Sequence, residues 1–192
     1  RQTWRHRRDD DGSMTEFNDE FSTYMLVVAH PDDSEFGAGG TVARLHQAGK
    51  RVVVVQVTSG DRGSPDRNAN PAEVAATREA ELQEAGRRLG GSEIVFLRCP
   101  DGELMPDLGL REQITRMLRT HRPDVVITHD PFRPYALHPD HRAVGLATTD
   151  SVGGWAVPPA MDEMAVSTTS TPASAALAIA AMEKPEVSWV WN

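Results

Sequence analysis

The sequence predicts an α/β fold: a three-layer, Rossmann-like, mostly parallel sheet with helices on both faces. Four short apolar segments alternate with helical segments between Met25 and Asp150. The apolar segments, such as the valines at positions 52–55, contain no polar alternation, which is typical of parallel strands buried on both faces. The connections are short and helical, which favours right-handed crossovers between parallel strands. We find no internal repeat and no second domain in the sequence.

The first predicted strand, residues 24–29, runs directly into the polar segment His30-Pro31-Asp32-Asp33. Pro31 has no N–H group for a sheet ladder, so we expect the strand to end there. Ligands of open α/β sheets bind at the carboxyl ends of the strands. One imidazole and two adjacent carboxylates at this position therefore indicate a metal site, and a capped turn is the alternative.

A glycine-rich segment, Gly37 to Thr41, comes next. We expect the first helix to begin there and to run to about Ala48, with Gly49 as its C-cap. Small residues let a helix pack closely on a sheet, and this is the interpretation that we favour. A phosphate-binding turn is the alternative, although the complete G-x-G-x-x-G pattern is missing.

The middle of the chain continues the alternation of strands and helices. Strong helix formers and an amphipathic pattern fill two segments, and apolar residues fill three shorter ones. The predicted elements are a strand over 51–57, a helix over 72–89, a strand over 93–97, a helix over 108–120 and a strand over 124–128. The single cysteine, Cys99, is interpreted as a packed thiol.

A second polar segment, His138-Pro139-Asp140-His141, follows the last of these strands. Pro139 suits the first position of a helix, and Asp140 suits the positive end of the helix dipole. His138 and His141 are three residues apart and therefore share a helix face. Together the two polar segments supply imidazoles and carboxylates, which zinc takes as ligands where cysteine is absent. A helix start with surface histidines is the alternative.

The two segments resemble the A-H-P-D-D and H-P-D-H motifs of the LmbE-like, PIG-L-type zinc-dependent N-acetylglucosaminyl deacetylases. The resemblance runs from about residue 25 to residue 150. It implies a Zn²⁺ cofactor, a carboxylate that acts as general base, and a histidine that stabilises the oxyanion or acts as acid. The implied ligands are His30, Asp33 and His141, the base is Asp32, and the oxyanion residue is His138. Asp140 is placed in the sequence to keep that histidine charged.

Three further acidic or basic residues gain a role from the resemblance. Arg78, in an R-x-x-E pattern, would contact the substrate, whereas its spacing to Glu81 by itself suggests only a surface ion pair. Asp101 would contact the sugar, and a D-G turn is the alternative. Asp61 would support the site from the loop after the second strand, or would lie in a solvated turn.

The resemblance implies an enzyme, a metal-dependent N-deacetylase. It would remove an acetyl group from an N-acetylglucosamine-type conjugate by amide hydrolysis with zinc-bound water. The partner would be a small-molecule aminosugar conjugate. The sequence does not specify the aglycone, the group attached to the aminosugar. The alternative function is a non-catalytic small-ligand or nucleotide-binding α/β domain, or a truncated inactive deacetylase remnant.

Composition limits the partners and the compartment. The net charge of −8 argues against nucleic acid as a partner, since phosphate binding requires a basic surface. No apolar run approaches the ~20 residues that span a bilayer, and no secretory signal is visible. We therefore expect a cytoplasmic protein with no membrane partner, and a homo-oligomer is compatible with the sequence.

We divide the chain into a disordered leader, residues 1–13, an LmbE-like catalytic α/β domain, residues 14–150, and a divergent or truncated C-terminal segment, residues 151–192. In the last segment we expect a loop over residues 155–159 and a short alanine-rich helix over residues 173–182. His129 is interpreted as structural or as a support for the metal ligands. Tyr135 is expected at the mouth of the pocket.

Overall fold

A computed structural model of the chain describes residues 21–134, 138–155, 165–169 and 177–181. Strands and helices alternate along its first two thirds, as predicted. The elements are β1 (Thr23–Val28), α1 (Asp33–Gln47), β2 (Arg51–Thr58), α2 (Pro71–Arg88), β3 (Glu93–Cys99), α3 (Leu108–His121), β4 (Val125–His129), α4 (Pro139–Trp155), β5 (Ala165–Thr169) and β6 (Leu177–Ala181). The predicted leader over residues 1–13 and Tyr135 lie outside the described residues.

The strands form one six-stranded sheet in the order β3-β2-β1-β4-β6-β5. The first four strands are parallel, and β1 lies between β2 and β4. The β5–β6 pair is antiparallel and extends the sheet at the free edge of β4. Because β1 and β4 are neighbours, the segments that follow them meet at one edge of the sheet.

Apolar side chains cover both faces of the sheet, which confirms the predicted three-layer α/β architecture. On one face Met25 and Val27 pack against Ile114 of α3 and Val144 of α4. On the other face the alternate residues of β1 pack against α1, and Leu89, directly after α2, packs against the same cluster. Burial on both faces explains why the strands show no polar alternation.

The first helix differs from the prediction at its start. It begins at Asp33, inside the first polar segment, so the glycine-rich segment lies within the helix. A Cβ built on Gly39 would meet Leu89 at an ordinary 3.9 Å, and one built on Gly40 would meet nothing within 4 Å. Close packing on the sheet therefore does not require glycine at these two positions.

The predicted alanine-rich helix over residues 173–182 is wrong for the part that is described. Residues 177–181 form the strand β6, which pairs antiparallel with the whole of β4. The edge of β4 carries backbone N–H and C=O groups that need partners, and this pairing outweighs the helix propensity of alanine. The predicted loop over residues 155–159 begins on the last residue of α4 and otherwise lies outside the described residues. Within the described ranges, no helix is both long and apolar enough to cross a bilayer.

Candidate metal centre and active site

Two neighbouring strands bring the two polar segments together. The first segment follows β1 and ends on the first residue of α1, whereas the second forms the start of α4, the helix that comes after β4. His30 and His141 are 111 residues apart in the chain, yet Nδ1 of His30 lies 3.1 Å from Nε2 of His141. The structure therefore brings the two segments together at one edge of the sheet.

The three predicted metal ligands contact one another. Nε2 of His141 lies 3.1 Å from Oδ1 of Asp33, and Nδ1 of His30 lies 3.6 Å from Oδ2 of Asp33. Ligand atoms about 2.0–2.1 Å from a tetrahedral zinc ion are about 3.3 Å apart. The separations of 3.1–3.6 Å, which involve both oxygens of Asp33, and the His₂Asp donor set are compatible with zinc. The predicted ligands belong to two overlapping groups of possible ligands, His30 with His138 and His141, and Asp33 with His129 and His141.

His129, the last residue of β4, is a further member of this cluster. Its ring stacks on that of His141 with centroids 4.0 Å apart, and its Nε2 lies 3.3 Å from Oδ2 of Asp33. The same nitrogen accepts the backbone N–H of Ala29 at 3.1 Å. His129 is 3% exposed, and burial lowers its pKa. The contacts show that it packs against two of the predicted ligands, as the sequence suggested.

Asp140 is fully buried and contacts His30. Its Oδ2 lies 3.1 Å from Nε2 of His30 and accepts the N–H of Gly102 at 2.7 Å, while its Oδ1 accepts the N–H of Leu104 at 3.2 Å. The carboxylate thus joins α4 to the loop after β3 and fixes the orientation of His30. No residue pattern indicates these backbone donors, because every residue type except proline carries an N–H group.

Asp101 also faces His30 from the loop after β3. Its Oδ1 lies 3.2 Å from Nε2 of His30, and its Oδ2 accepts the N–H of Arg62 at 3.1 Å. Asp61 accepts the N–H of Asp101 at 3.3 Å and so supports this loop. Asp101 is only 6% exposed. These contacts hold its carboxylate within the site.

The carboxylates make the centre strongly anionic. Burial alone would lower the pKa of His30, but Asp33, Asp140 and Asp101 outweigh burial and raise that pKa to about 9. Burial alone would raise the pKa of Asp33, but the surrounding imidazoles of His129, His141 and His30 hold that pKa well below its usual range. Such a centre favours positive charge, from protons or from a metal ion.

His138 differs from the expectation that Asp140 keeps it charged. Burial and the neighbouring His30 and His141 lower the pKa of His138, and the opposing effect of Asp140 is smaller. Nδ1 of His138 accepts the N–H of Asp140 at 3.3 Å, at the start of α4. A neutral imidazole that accepts at Nδ1 carries its proton on Nε2. His138 can therefore donate a hydrogen bond from Nε2 without a net charge.

Asp32 and Arg78 lie beside the metal-ligand cluster and contact each other. Nη2 of Arg78 donates to Oδ2 of Asp32 at 2.8 Å and also to the carbonyl oxygen of Pro31. Both side chains line a cleft of about 240 Å³ between α1 and α2, together with Phe36 and Leu82. The predicted base thus borders an open cleft.

Comparison with known proteins identifies the family. The family profile for PIG-L, GlcNAc-PI de-N-acetylase, matches residues 25–152, which contain both polar segments. The chain belongs to the PIG-L family. The PIG-L family is metal-dependent, and the histidines and aspartates of the centre are candidate ligands in this chain.

Named relatives of this PIG-L family member include sugar deacetylases. The diacetylchitobiose deacetylase of Thermococcus kodakarensis is 35% identical over 136 residues, which cover 71% of this chain and 51% of the relative. A 1D-myo-inositol 2-acetamido-2-deoxy-alpha-D-glucopyranoside deacetylase of Saccharopolyspora erythraea is 34% identical over 164 residues, covering 73% of this chain and 60% of the relative. The chain spans about half the length of the first of these relatives.

Solved structures of similar proteins share the PIG-L fold. The N,N′-diacetylchitobiose deacetylase of Pyrococcus horikoshii matches with a TM-score of 0.68 and 36% identity, over 70% of this chain and 50% of that one. A 4-carboxy-2-hydroxymuconate hydratase from Pseudomonas putida matches with a TM-score of 0.61 and 24% identity, over 68% of this chain and 55% of that one. A hydratase thus shares the fold, so the reaction has to be argued from the site.

Proposed function

We propose that this chain is a zinc-dependent deacetylase that removes the acetyl group from an N-acetylglucosamine-type conjugate. One observation carries the proposal: the side chains of His30, Asp33 and His141 meet at one point, with nitrogen and oxygen atoms 3.1–3.6 Å apart, and Asp32 is adjacent to Asp33 in the chain. The named relatives support the substrate class, because each name describes a deacetylase of an acetamido sugar.

The three ligands would hold the zinc ion and leave one position open, as catalytic zinc sites do. A bound zinc ion would polarise the amide carbonyl and lower the pKa of a water molecule toward about 7. His30 would enter this site in a fixed orientation, because its Nε2 faces the carboxylates of Asp140 and Asp101.

Two side chains would act in the reaction, one by accepting the proton of the attacking water and one by stabilising the oxyanion. Asp32 would accept a proton from the attacking water, whose oxygen forms a bond to the carbonyl carbon of the acetamido group. Nε2–H of His138 would donate to the oxyanion that this addition creates. The C–N bond then breaks, the proton on Asp32 passes to the leaving nitrogen, and the products are acetate and a free amine.

The substrate class follows from what the relatives' names have in common. Diacetylchitobiose and the inositol conjugate share an N-acetylated glucosamine unit and differ in the group attached to it. We propose that this chain acts on the shared unit. Both carboxylate oxygens of Asp101 contact the protein, one at His30 and one at the N–H of Arg62. Asp101 would therefore shape the sugar site by holding His30 and the loop after β3 in place.

The proposal is tested by metal content and acetate release with the same protein samples. Elemental analysis of the zinc-loaded chain should find about one zinc per molecule, and incubation with N,N′-diacetylchitobiose should release acetate and an equal amount of amine. A His141→Ala variant should lose both. The control is His121→Ala, because His121 contacts Arg51 and Glu93 at the amino ends of the strands.

Two results would contradict the proposal separately. Absence of bound zinc in the unsubstituted chain would refute the metal centre. Stoichiometric zinc without acetate release from diacetylchitobiose or from N-acetylglucosaminyl-inositol would refute the deacetylase reaction and would favour a ligand-binding role.

A further inference from the structure

Asp32 has a strained backbone. Its φ of 128° and ψ of −22° lie in a region that residues with a Cβ rarely adopt, and such strain persists only where the surrounding structure holds it. Asp32 is the N-cap residue of α1, and its carbonyl oxygen accepts the N–H groups of Glu35 and Phe36 at 3.1 Å and 2.9 Å. Its carboxylate makes no capping hydrogen bond. The strain therefore turns the carboxylate away from the helix end.

Arg78 contacts this strained residue on both sides of the Pro31–Asp32 peptide bond. One amino group, Nη2, donates to the carbonyl oxygen of Pro31 and to Oδ2 of Asp32. A single donor thus fixes the backbone before Asp32 and the direction of its carboxylate. The other amino group lies 3.8 Å from Glu81, which is 63% exposed, so that ion pair is weak.

Neighbouring residues hold Arg78 against Pro31 and Asp32. Gly60, with φ +64°, lies so close that a Cβ there would be 3.0 Å from Cδ of Pro31 and 3.6 Å from Nε of Arg78. The next residue of α2, Glu79, accepts a hydrogen bond from Ser59 at 2.5 Å and two from Arg98 at 2.9 Å each. Helix α2 is therefore anchored to the ends of β2 and β3 at the residue next to Arg78.

We propose that Arg78 is a positioning residue: it holds Asp32 in the strained conformation that directs the base. The proposal rests on the proposed function, in which Asp32 accepts the proton. It departs from the role that the family resemblance implies for Arg78. A residue that acts only through the base affects the chemical step and leaves substrate affinity unchanged.

Steady-state kinetics with N,N′-diacetylchitobiose distinguish the two roles. Arg78→Met should lower kcat by about ten- to a hundredfold, as expected for a misplaced catalytic group, with KM within about twofold and zinc content unchanged. Arg78→Lys, whose ammonium can replace a single donor, should restore part of kcat. The control Arg88→Met removes an arginine of the same helix that pairs with Glu84 on the surface. A raised KM with unchanged kcat in Arg78→Met would overturn the proposal.

A thermal double-mutant cycle tests the contact even if no acetate is released. Asp32→Asn keeps the shape of the side chain and its Cβ, and only with Arg78 present does it also remove the ion pair. The loss of Tm on Asp32→Asn should therefore be larger with Arg78 present than in the Arg78→Met background, by about 2 °C for a chain of this size. Equal changes in both backgrounds would overturn the positioning role, whereas failure of acetate release alone would overturn only the proposed function.

Discussion

Oδ2 of Asp140 lies 3.1 Å from Nε2 of His30, and the same oxygen accepts the N–H of Gly102. A histidine whose outer nitrogen faces a carboxylate is fixed in orientation and in tautomer, so that its other nitrogen can bind metal. In this chain that other nitrogen, Nδ1 of His30, faces His141. Asp140 therefore supports the metal centre from outside it.

Replacement of Asp140 by asparagine should weaken zinc binding. The amide keeps the shape of the side chain but loses the charge that faces His30, and loss of such a partner costs about 10–100-fold in metal affinity. Zinc titration with a competing chelator should show this increase in Kd. Asp150→Asn is the control, since Asp150 is an exposed residue of the same helix. Equal zinc affinity in the two variants would contradict the supporting role.

Asp32→Asn should abolish turnover while zinc stays bound. The amide cannot accept the proton from water, and removal of a general base typically costs 10²–10⁴-fold in rate. Acetate release and zinc content are measured on the same sample. If the variant bound less zinc but kept full activity per bound zinc, the roles of Asp32 and Asp33 would have to be exchanged.

The side chain at position 138 should need an N–H donor and no charge. Nδ1 of His138 is occupied by the N–H of Asp140, so Nε2 carries the proton that is donated. His138→Gln should keep more activity than His138→Ala, which should lose about 10²–10³-fold in kcat. Initial rates at saturating diacetylchitobiose give the comparison. Equal losses in both variants would mean that the imidazole acts as an acid.

Most of the parallel sheet could be predicted from the sequence because each buried strand is apolar on both faces. The valines of β2 and the apolar run of β1 carry this signal by themselves. The start of α1 could not be predicted, because it depends on the strained backbone of Asp32, which Arg78 contacts from α2. The strand β6 was not predicted either, because its conformation depends on pairing with β4, which is about 50 residues away in the chain.

The sequence indicated which residue types meet at the candidate site, but not which side chains contact each other there. The two polar segments indicated a metal centre, and the sheet order brings them together. That Asp140 faces His30, and that Asp101 faces it too, depends on the path of the loop after β3. Such tertiary contacts leave no periodic pattern in the sequence.

Two glycines of α4 should respond oppositely to alanine. A Cβ on Gly145 would lie 2.4 Å from the carbonyl oxygen of His129, whereas one on Gly153 would meet nothing within 4 Å. Gly145→Ala should lower the free energy of unfolding by about 1–3 kcal/mol and weaken zinc binding, because it separates α4 from β4. Gly153→Ala should raise that free energy by about 0.5 kcal/mol. Urea unfolding measures both, and stabilisation by Gly145→Ala would contradict the close approach.

Cys99 should react slowly with alkylating reagents at neutral pH. Burial raises the pKa of its thiol, and the hydrogen bond with Gln113 offsets this only in part. Because the thiolate is the reactive form, the labelling rate should rise at a higher pH than the rate of free cysteine does. Iodoacetamide labelling followed by mass spectrometry between pH 7 and pH 10 measures the profile, which follows one thiol only, since the chain has a single cysteine. A rate at pH 7 equal to that of free cysteine would contradict it.

The parallel pairing of β1 with β4 has a consequence for folding. Tyr24 pairs with Val125, so about 100 residues of chain form a closed loop before the two histidines meet. A zinc ion bound by His30 and His141 would hold the ends of this loop together in the folded chain. Because the site forms only when β1 and β4 pair, the free energy of zinc binding would add to the free energy of unfolding. With a single cysteine, this chain has no internal disulfide, and bound zinc would be the link between these distant segments.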